Sequence, residues 1–161
     1  MTEQEKEVNK LRKWSLYVAV YLVLISVGTF FLGYYLLDTQ ERFNRAIAIA
    51  LIGMAGSGVA ALTSCLDRYA NGFELENGDK IPKDAKGETF NLRMARWFIF
   101  RPFLGLPVAL VFIWGIEFFV KDFAAFTSSA ERLAFTSFLG GLLAKSVIEL
   151  VKNLFKNVFR A

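Results

Sequence analysis

Apolar residues along the chain fall into four long blocks separated by shorter polar segments. Each block holds about 18 to 24 residues, and a helix needs roughly 20 apolar residues to cross the ~30 Å hydrocarbon core of a bilayer. We therefore predict an all-α integral membrane protein, folded as a single domain with four transmembrane helices. The predicted spans are residues 14–37, 46–66, 102–120 and 133–152.

The long polar segment between the second and third spans, residues 67–101, carries a strong turn signal. Asn77 is followed by Gly78, and this dipeptide is typical of a type I′ hairpin turn. The short runs on either side therefore predict a small hairpin over 73–82. The other two connections are short, which makes the helices they join antiparallel neighbours.

Two further helical segments are predicted at the edges of the spans. Residues 88–100 combine arginines with Trp and Phe, the composition of a helix lying in the membrane interface. Pro102 should end this helix, because the residue before a proline is pushed out of the helical region. In the tail 1–13, Thr2 and Glu5 have the spacing of a capping box, which extends the first helix towards the N-terminus.

Basic residues are distributed unevenly among the polar segments. Fourteen lysines and arginines lie in the two tails and the long connection, against four in the two short connections. By the positive-inside rule, the termini (1–13 and 153–161) and the long connection are cytoplasmic, in a plasma (inner) membrane. This basic rim accounts for the pI of 9.3 without a nucleic-acid partner, and it should attract anionic lipid headgroups. The interfacial candidates are Arg93, Arg96, Trp97 and Arg101.

The composition narrows the chemistry that the chain can perform. It contains no histidine and one cysteine, Cys65, which removes histidine-based haem ligation, proton relays and catalytic triads. It also lacks the Walker A, HExxH and GxSxG motifs. We predict a protein that is not an enzyme, with no catalytic residue, metal site or cofactor.

The second span carries a line of small residues at alternating spacings of four and three, the spacing of one helix face. A face of this kind lets another helix backbone approach closely, or it lines a narrow passage. We favour close packing, between subunits or against the first span. The line consists of Ala46, Ala50, Gly53, Ser57, Ala60, Ser64 and Asp67.

Charged residues in and beside the spans are candidates for a polar site. Lys145 lies inside the fourth predicted span, where a lysine facing lipid costs a few kcal/mol. It therefore pairs with Glu149, extends to the interface or faces water, and Lys152 continues the same face. Asp67 and Arg68, at the inner end of the second span, are either interfacial anchors or the inner mouth of a pathway.

These features support three hypotheses about function. The first is a homo-oligomeric channel or pore for ions or small solutes, because a ring of identical subunits would bury the small-residue and charged faces. The second is a non-conducting scaffold or accessory subunit that acts through the basic cytoplasmic loop. The third, a lipid-directed transporter or enzyme, has the least support. The candidate pore or polar-site residues are Ser57, Ser64, Asp67, Arg68, Lys145, Glu149 and Lys152.

Overall fold

Five helices and one small hairpin make up the part of the chain that the computed structural model describes, namely residues 2–37, 42–85, 87–119 and 129–158. Three of the helices, α1 to α3, are long and apolar enough to cross a membrane. The predicted all-helical class is confirmed to that extent. The elements in chain order are α1 Glu3–Leu37, α2 Arg42–Asn71, β1 Phe73–Glu74, β2 Lys80–Ile81, α3 Leu92–Phe119, α4 Ala130–Leu142 and α5 Ala144–Val158.

Helix α1 begins at the predicted capping box. The main-chain N–H of Thr2 donates to the Glu5 carboxylate at 2.8 Å, and the N–H of Glu5 donates to the Thr2 hydroxyl at 3.3 Å. These reciprocal bonds satisfy two of the N–H groups that a helix start leaves free. The tail 1–13 is therefore helical over most of its length, and it continues into the first apolar block without a break.

Helix α2 is the centre of the bundle and contacts α1, α3 and α4. The middle of its small-residue line, at Gly53 and Ser57, packs inside the chain against α3 and α4. A Cβ on Gly53 would collide with the Gly105 carbonyl oxygen and the Ala109 side chain of α3, and a Cβ on Gly141 of α4 would collide with the Gly53 carbonyl oxygen. Because these glycines have no side chain, α2, α3 and α4 can meet at one level of the bundle.

Helix α3 runs through Pro102 without interruption. The predicted separate helix over 88–100 and its predicted end at Pro102 are therefore wrong. A proline inside a helix loosens the preceding turn, and hydroxyls from neighbouring helices can bond the loosened carbonyls. Here Tyr21 of α1 donates to the Ile99 carbonyl oxygen at 3.2 Å, and Ser57 of α2 donates to the Arg101 carbonyl oxygen at 2.9 Å. These bonds hold the α3 turn at Pro102 against α1 and α2.

The predicted fourth span over 133–152 is interrupted at Leu143, where α4 ends and α5 begins. Helix α4 has 13 residues, about 20 Å at 1.5 Å per residue, which is shorter than the ~30 Å apolar core of a bilayer. Two glycines, Gly140 and Gly141, lower its helix propensity just before the break and hold it close to α2 and α3. The structure therefore divides the predicted span into two helices joined at Leu143, whose N–H still donates to the Leu139 carbonyl oxygen at 2.9 Å, and a fourth span is not confirmed.

The predicted hairpin over 73–82 is confirmed, with Phe73 paired to Ile81 and Glu74 to Lys80. Its turn differs from the type I′ form. The N–H of Gly78 donates to the Leu75 carbonyl oxygen, and Gly78 has a φ of +89° while no non-glycine residue has a positive φ in the described residues. This is a type I turn followed by a left-handed glycine, the usual three-residue hairpin loop.

The hairpin belongs to a folded unit at the end of the bundle where α1 begins, α2 ends and α3 begins. We call this end the loop end. Phe73, Leu75 and Phe90 from the connection are buried there with Leu11 of α1 and Phe98 of α3. The long connection is therefore packed against three helices, and it forms one side of the site described below.

Several predictions fall wholly or partly on residues that the structure does not describe. Most of the two short connections, 38–45 and 121–132, lies outside the described residues, as do the last residue of the predicted span 102–120 and residues 159–161 of the C-terminal tail. Those parts of the predicted layout stay predictions.

Candidate functional site

A charged pocket of about 580 Å³ lies at the loop end, between α2, α3, the connection and the start of α5. We call it the loop-end pocket. It brings together residues that the sequence analysis nominated separately, as parts of a polar site and of an interfacial helix. Its lining consists of Ser64, Asp67, Arg68, Asn71, Glu88, Arg93, Met94, Trp97, Phe98, Arg101 and Lys145.

Helix geometry explains why α3 supplies two arginines and a tryptophan to one wall. Arg93, Trp97 and Arg101 are spaced four residues apart, so they lie along one face of α3. Trp97 keeps 49% of its surface exposed, and Arg93 is also exposed, whereas Arg101 is half-buried. The wall therefore runs from an open rim into the bundle.

Arg101 is the most firmly held cation in the pocket. Its guanidinium Nη1 donates to the Ser64 hydroxyl of α2 at 2.9 Å, and that hydroxyl in turn donates to the Ala60 carbonyl oxygen at 2.9 Å. The Arg101 carbonyl oxygen accepts the bond from Ser57 described above. Arg101 is thus fixed at both its main chain and its head group, and none of the carboxylates in the described residues forms an ion pair with it.

Arg68 is held differently, by the connection. It forms an ion pair with Glu88, and its Nη1 also lies 3.5 Å from the Thr89 carbonyl oxygen. Asn71, one turn further along α2, donates to the Glu88 carbonyl oxygen at 3.3 Å. The connection therefore supplies the counter-charge for Arg68 and fixes its position.

Lys145 enters the pocket from the first turn of α5, directly after the helix break. Its Nζ lies 3.8 Å from the Glu149 carboxylate, and the two side chains are 67% and 62% exposed. An exposed pair of this kind contributes little, about 0 to 1 kcal/mol. Of the alternatives considered for Lys145, pairing with Glu149 is present, and the side chain is exposed in the single chain at the pocket.

The other nominated residues do not line the pocket. Ser57 is buried and serves the α2–α3 contact through its bond to Arg101. Arg96 is exposed on a different side of α3 from Trp97, and Glu149 and Lys152 are exposed on α5. The pocket thus unites Ser64, Asp67, Arg68 and Lys145 with Arg93, Trp97 and Arg101.

Four lining residues were missed by the sequence analysis, namely Asn71, Glu88, Met94 and Phe98. Met94 and Phe98 follow the same helical spacing as their neighbours on α3, so periodicity alone could have nominated them. Glu88 lies in an irregular segment twenty residues beyond Arg68. No helical spacing relates those two positions, and only the fold of the connection joins them.

Positive charge exceeds negative charge in the lining, with Arg68, Arg93, Arg101 and Lys145 against Asp67 and Glu88. A cleft with low-dielectric walls and one sign of excess charge concentrates ions of the opposite sign. The arrangement therefore favours an anion. No family model, curated protein or solved structure matches the chain, so its chemistry rests on this geometry.

Proposed function

We propose that copies of this protein assemble in a plasma (inner) membrane around a polar pathway for ions or small solutes, with the loop end and both termini in the cytoplasm. The observation that carries the proposal is the break between α4 and α5, two residues before Lys145 enters the charged pocket. Breaks of this kind at membrane depth are tolerated where the backbone is buried in protein or faces a water-filled cavity. The interruption here is the single residue Leu143, and i→i−4 main-chain bonds still join it to Leu139 and to Val147.

The depth of the break follows from its contacts with α2. A Cβ on Gly56 would collide with the Phe138 carbonyl oxygen and come within 2.8 Å of the Leu142 main-chain nitrogen. Gly56 is the middle residue of the apolar block 46–66. The end of α4 therefore lies near the centre of the apolar layer, and Lys145 follows one turn closer to the loop end.

One chain does not enclose a pathway by itself. On α5, Lys145, Ser146, Glu149 and Lys152 are all exposed. Closed symmetric assemblies commonly bury matching faces of identical subunits, and a ring would direct these groups towards a shared axis. Rings of basic side chains select anions, so the charge of the pocket favours anion passage.

Flux through purified protein in liposomes tests the proposal. We expect chloride or nitrate to pass faster than potassium, and we expect Lys145→Gln to reduce the anion flux about tenfold, by the loss of one pathway charge per subunit. Lys83→Gln is the matched control, because Lys83 is exposed in the connection and lies outside the pocket. Absence of flux under every ion gradient, or equal flux in wild type and Lys145→Gln, overturns the proposal.

A second candidate is a non-conducting accessory subunit that binds a partner through the connection. The observation in its favour is that Phe73, Leu75 and Phe90 form a buried core with α1 and α3, so the connection presents a fixed surface. A test reverses the exposed charges Lys80 and Lys83 to Glu. Loss of a co-purifying partner, together with no flux in liposomes, would favour this candidate over the channel.

A further inference from the structure

We infer that the loop-end pocket binds a phosphate monoester group, presented either by a lipid headgroup or by a soluble compound. This inference goes beyond the proposed pathway, because binding in the pocket requires neither assembly nor conduction. It rests on the charge of the lining, the geometry of its arginines and the apolar surface beside its rim.

The charge balance matches a dianion. The lining holds four cationic and two anionic side chains. Two of the cations are paired, Arg68 with Glu88 and Lys145 with Glu149, which lies outside the lining. In the described residues, Arg93 and Arg101 have no carboxylate within ion-pair distance. A phosphate monoester carries about −1.5 to −2 charges at pH 7, which matches this surplus of two unpaired guanidinium groups, whereas a diester or a carboxylate carries only one charge.

The guanidinium groups supply the geometry that phosphate recognition needs. Arginine presents several N–H donors in a planar fork that matches phosphate oxygens. Ser64 occupies Nη1 of Arg101 and holds the side chain in place, which leaves the remaining donors of the fork for a ligand. A cation that is already positioned loses less conformational entropy on binding.

The rim of the pocket favours a lipid as the source of the phosphate. Trp97 is 49% exposed between Arg93 and Arg101, and Phe100 on the following turn of α3 is also exposed. Tryptophan is enriched at membrane interfaces, where its ring lies at the level of the headgroups. A lipid whose headgroup enters the pocket would place its acyl chains along these aromatic rings.

Calorimetric titration of the full-length protein in a maltoside detergent tests the inference. The probes are dioctanoyl phosphatidic acid, dioctanoyl phosphatidylglycerol and inorganic phosphate. We expect phosphatidic acid to bind about tenfold more tightly than phosphatidylglycerol, because a second negative charge meets the surplus. Binding of phosphatidic acid alone identifies a lipid site. Binding of inorganic phosphate with the same sensitivity to mutation identifies a site for phosphate itself, and both results support the inference.

Variants connect the binding to the pocket. Arg101→Gln should weaken phosphatidic acid binding about tenfold, since it removes a charge-assisted fork. Arg93→Gln, at an exposed position with no ion pair in the described residues, should weaken binding about threefold with the fold intact. Lys83→Gln makes the same change of charge outside the pocket and should leave binding unchanged.

Three results would overturn the inference. The first is that neither phosphatidic acid nor inorganic phosphate binds. The second is that phosphatidylglycerol binds as tightly as phosphatidic acid. The third is that Lys83→Gln weakens binding as much as Arg93→Gln and Arg101→Gln do. Because no ion gradient is involved, failure of this binding and failure of the proposed pathway are observed separately.

Discussion

The hydroxyl of Ser57 donates a hydrogen bond of 2.9 Å to the main-chain carbonyl oxygen of Arg101, one residue before Pro102. The bond joins the small-residue face of α2 to the turn of α3 where a proline weakens the helical ladder. It also fixes the main chain of an arginine in the loop-end pocket. Ser57 therefore acts on the pocket without lining it.

Replacing Ser57 with alanine should lower the free energy of unfolding in detergent by about 1 kcal/mol, because inter-helix hydrogen bonds in membrane proteins contribute about 0.6 to 2 kcal/mol. Thr63→Ala is the control, since the Thr63 hydroxyl is exposed and bonds only the Ala60 carbonyl oxygen of its own helix. Equal destabilisation by the two variants would contradict the role assigned to Ser57.

Replacing Gly141 with alanine should separate α4 from α2. The added Cβ would collide with the Gly53 carbonyl oxygen, and overpacking of this kind typically costs about 1 to 3 kcal/mol. Thermal unfolding in detergent should show a lower Tm. The same substitution at Gly115, where nothing lies within 4 Å of the added atom, should leave the Tm unchanged or raise it slightly, and a drop there equal to that of Gly141→Ala would contradict the packing.

Replacing Phe90 with alanine should disrupt the core at the loop end. Phe90 is 0% exposed, and removal of a buried phenylalanine ring typically costs about 3 to 5 kcal/mol. Limited proteolysis should then cleave the connection about tenfold or more faster, because local opening becomes easier. Phe100→Ala, at a ring that is 66% exposed, should not change the cleavage rate. Unchanged cleavage in Phe90→Ala would show that the connection does not depend on this core.

The start of α4 contains a pH-sensitive contact. The Ser129 hydroxyl donates to the Glu131 carboxylate and holds the pKa of that carboxyl below its ordinary value of 4.5. A lowered pKa in the folded state stabilises the fold above the ordinary pKa, and this contribution is lost as the pH falls through the lowered value. Ser129→Ala should raise the pKa of Glu131, measured by NMR titration of its carboxyl carbon, while Ser129→Thr should keep it low.

Local rules predicted the features that depend on near neighbours in the sequence. The length of the apolar blocks was sufficient to predict the long helices α1, α2 and α3. The reciprocal bonds of Thr2 and Glu5 formed as their spacing predicts, and Asn77-Gly78 marked the hairpin. The turn type differed because Asn77 does not adopt a positive φ, so a two-residue turn gives way to a three-residue loop. Each of these features is decided within a few residues.

The predictions that failed concern places where segments distant in the sequence pack together. The residue-before-proline rule predicted a break at Pro102, but α3 is continuous there and its turn is held by hydroxyls of Tyr21 and Ser57, 78 and 44 residues away from their acceptors. Apolar length also predicted one span over 133–152, but not the interruption at Leu143 that follows Gly140 and Gly141. For the site, the sequence nominated Asp67, Arg68 and Lys145 separately from the α3 arginines, and their meeting in one pocket depends on the antiparallel packing of α2 and α3 and on Glu88.

Helix α1 is one uninterrupted helix that connects the apolar layer to the loop end. Its 35 residues span about 52 Å, and Leu11 and Leu22 belong to the same buried cluster as Phe73 and Phe98. A helix that must fit bilayers of different thickness changes its tilt. Because α1 packs in one cluster with the hairpin and the first turns of α3, a change in its tilt would move both, and with them the arginine-lined wall of the pocket.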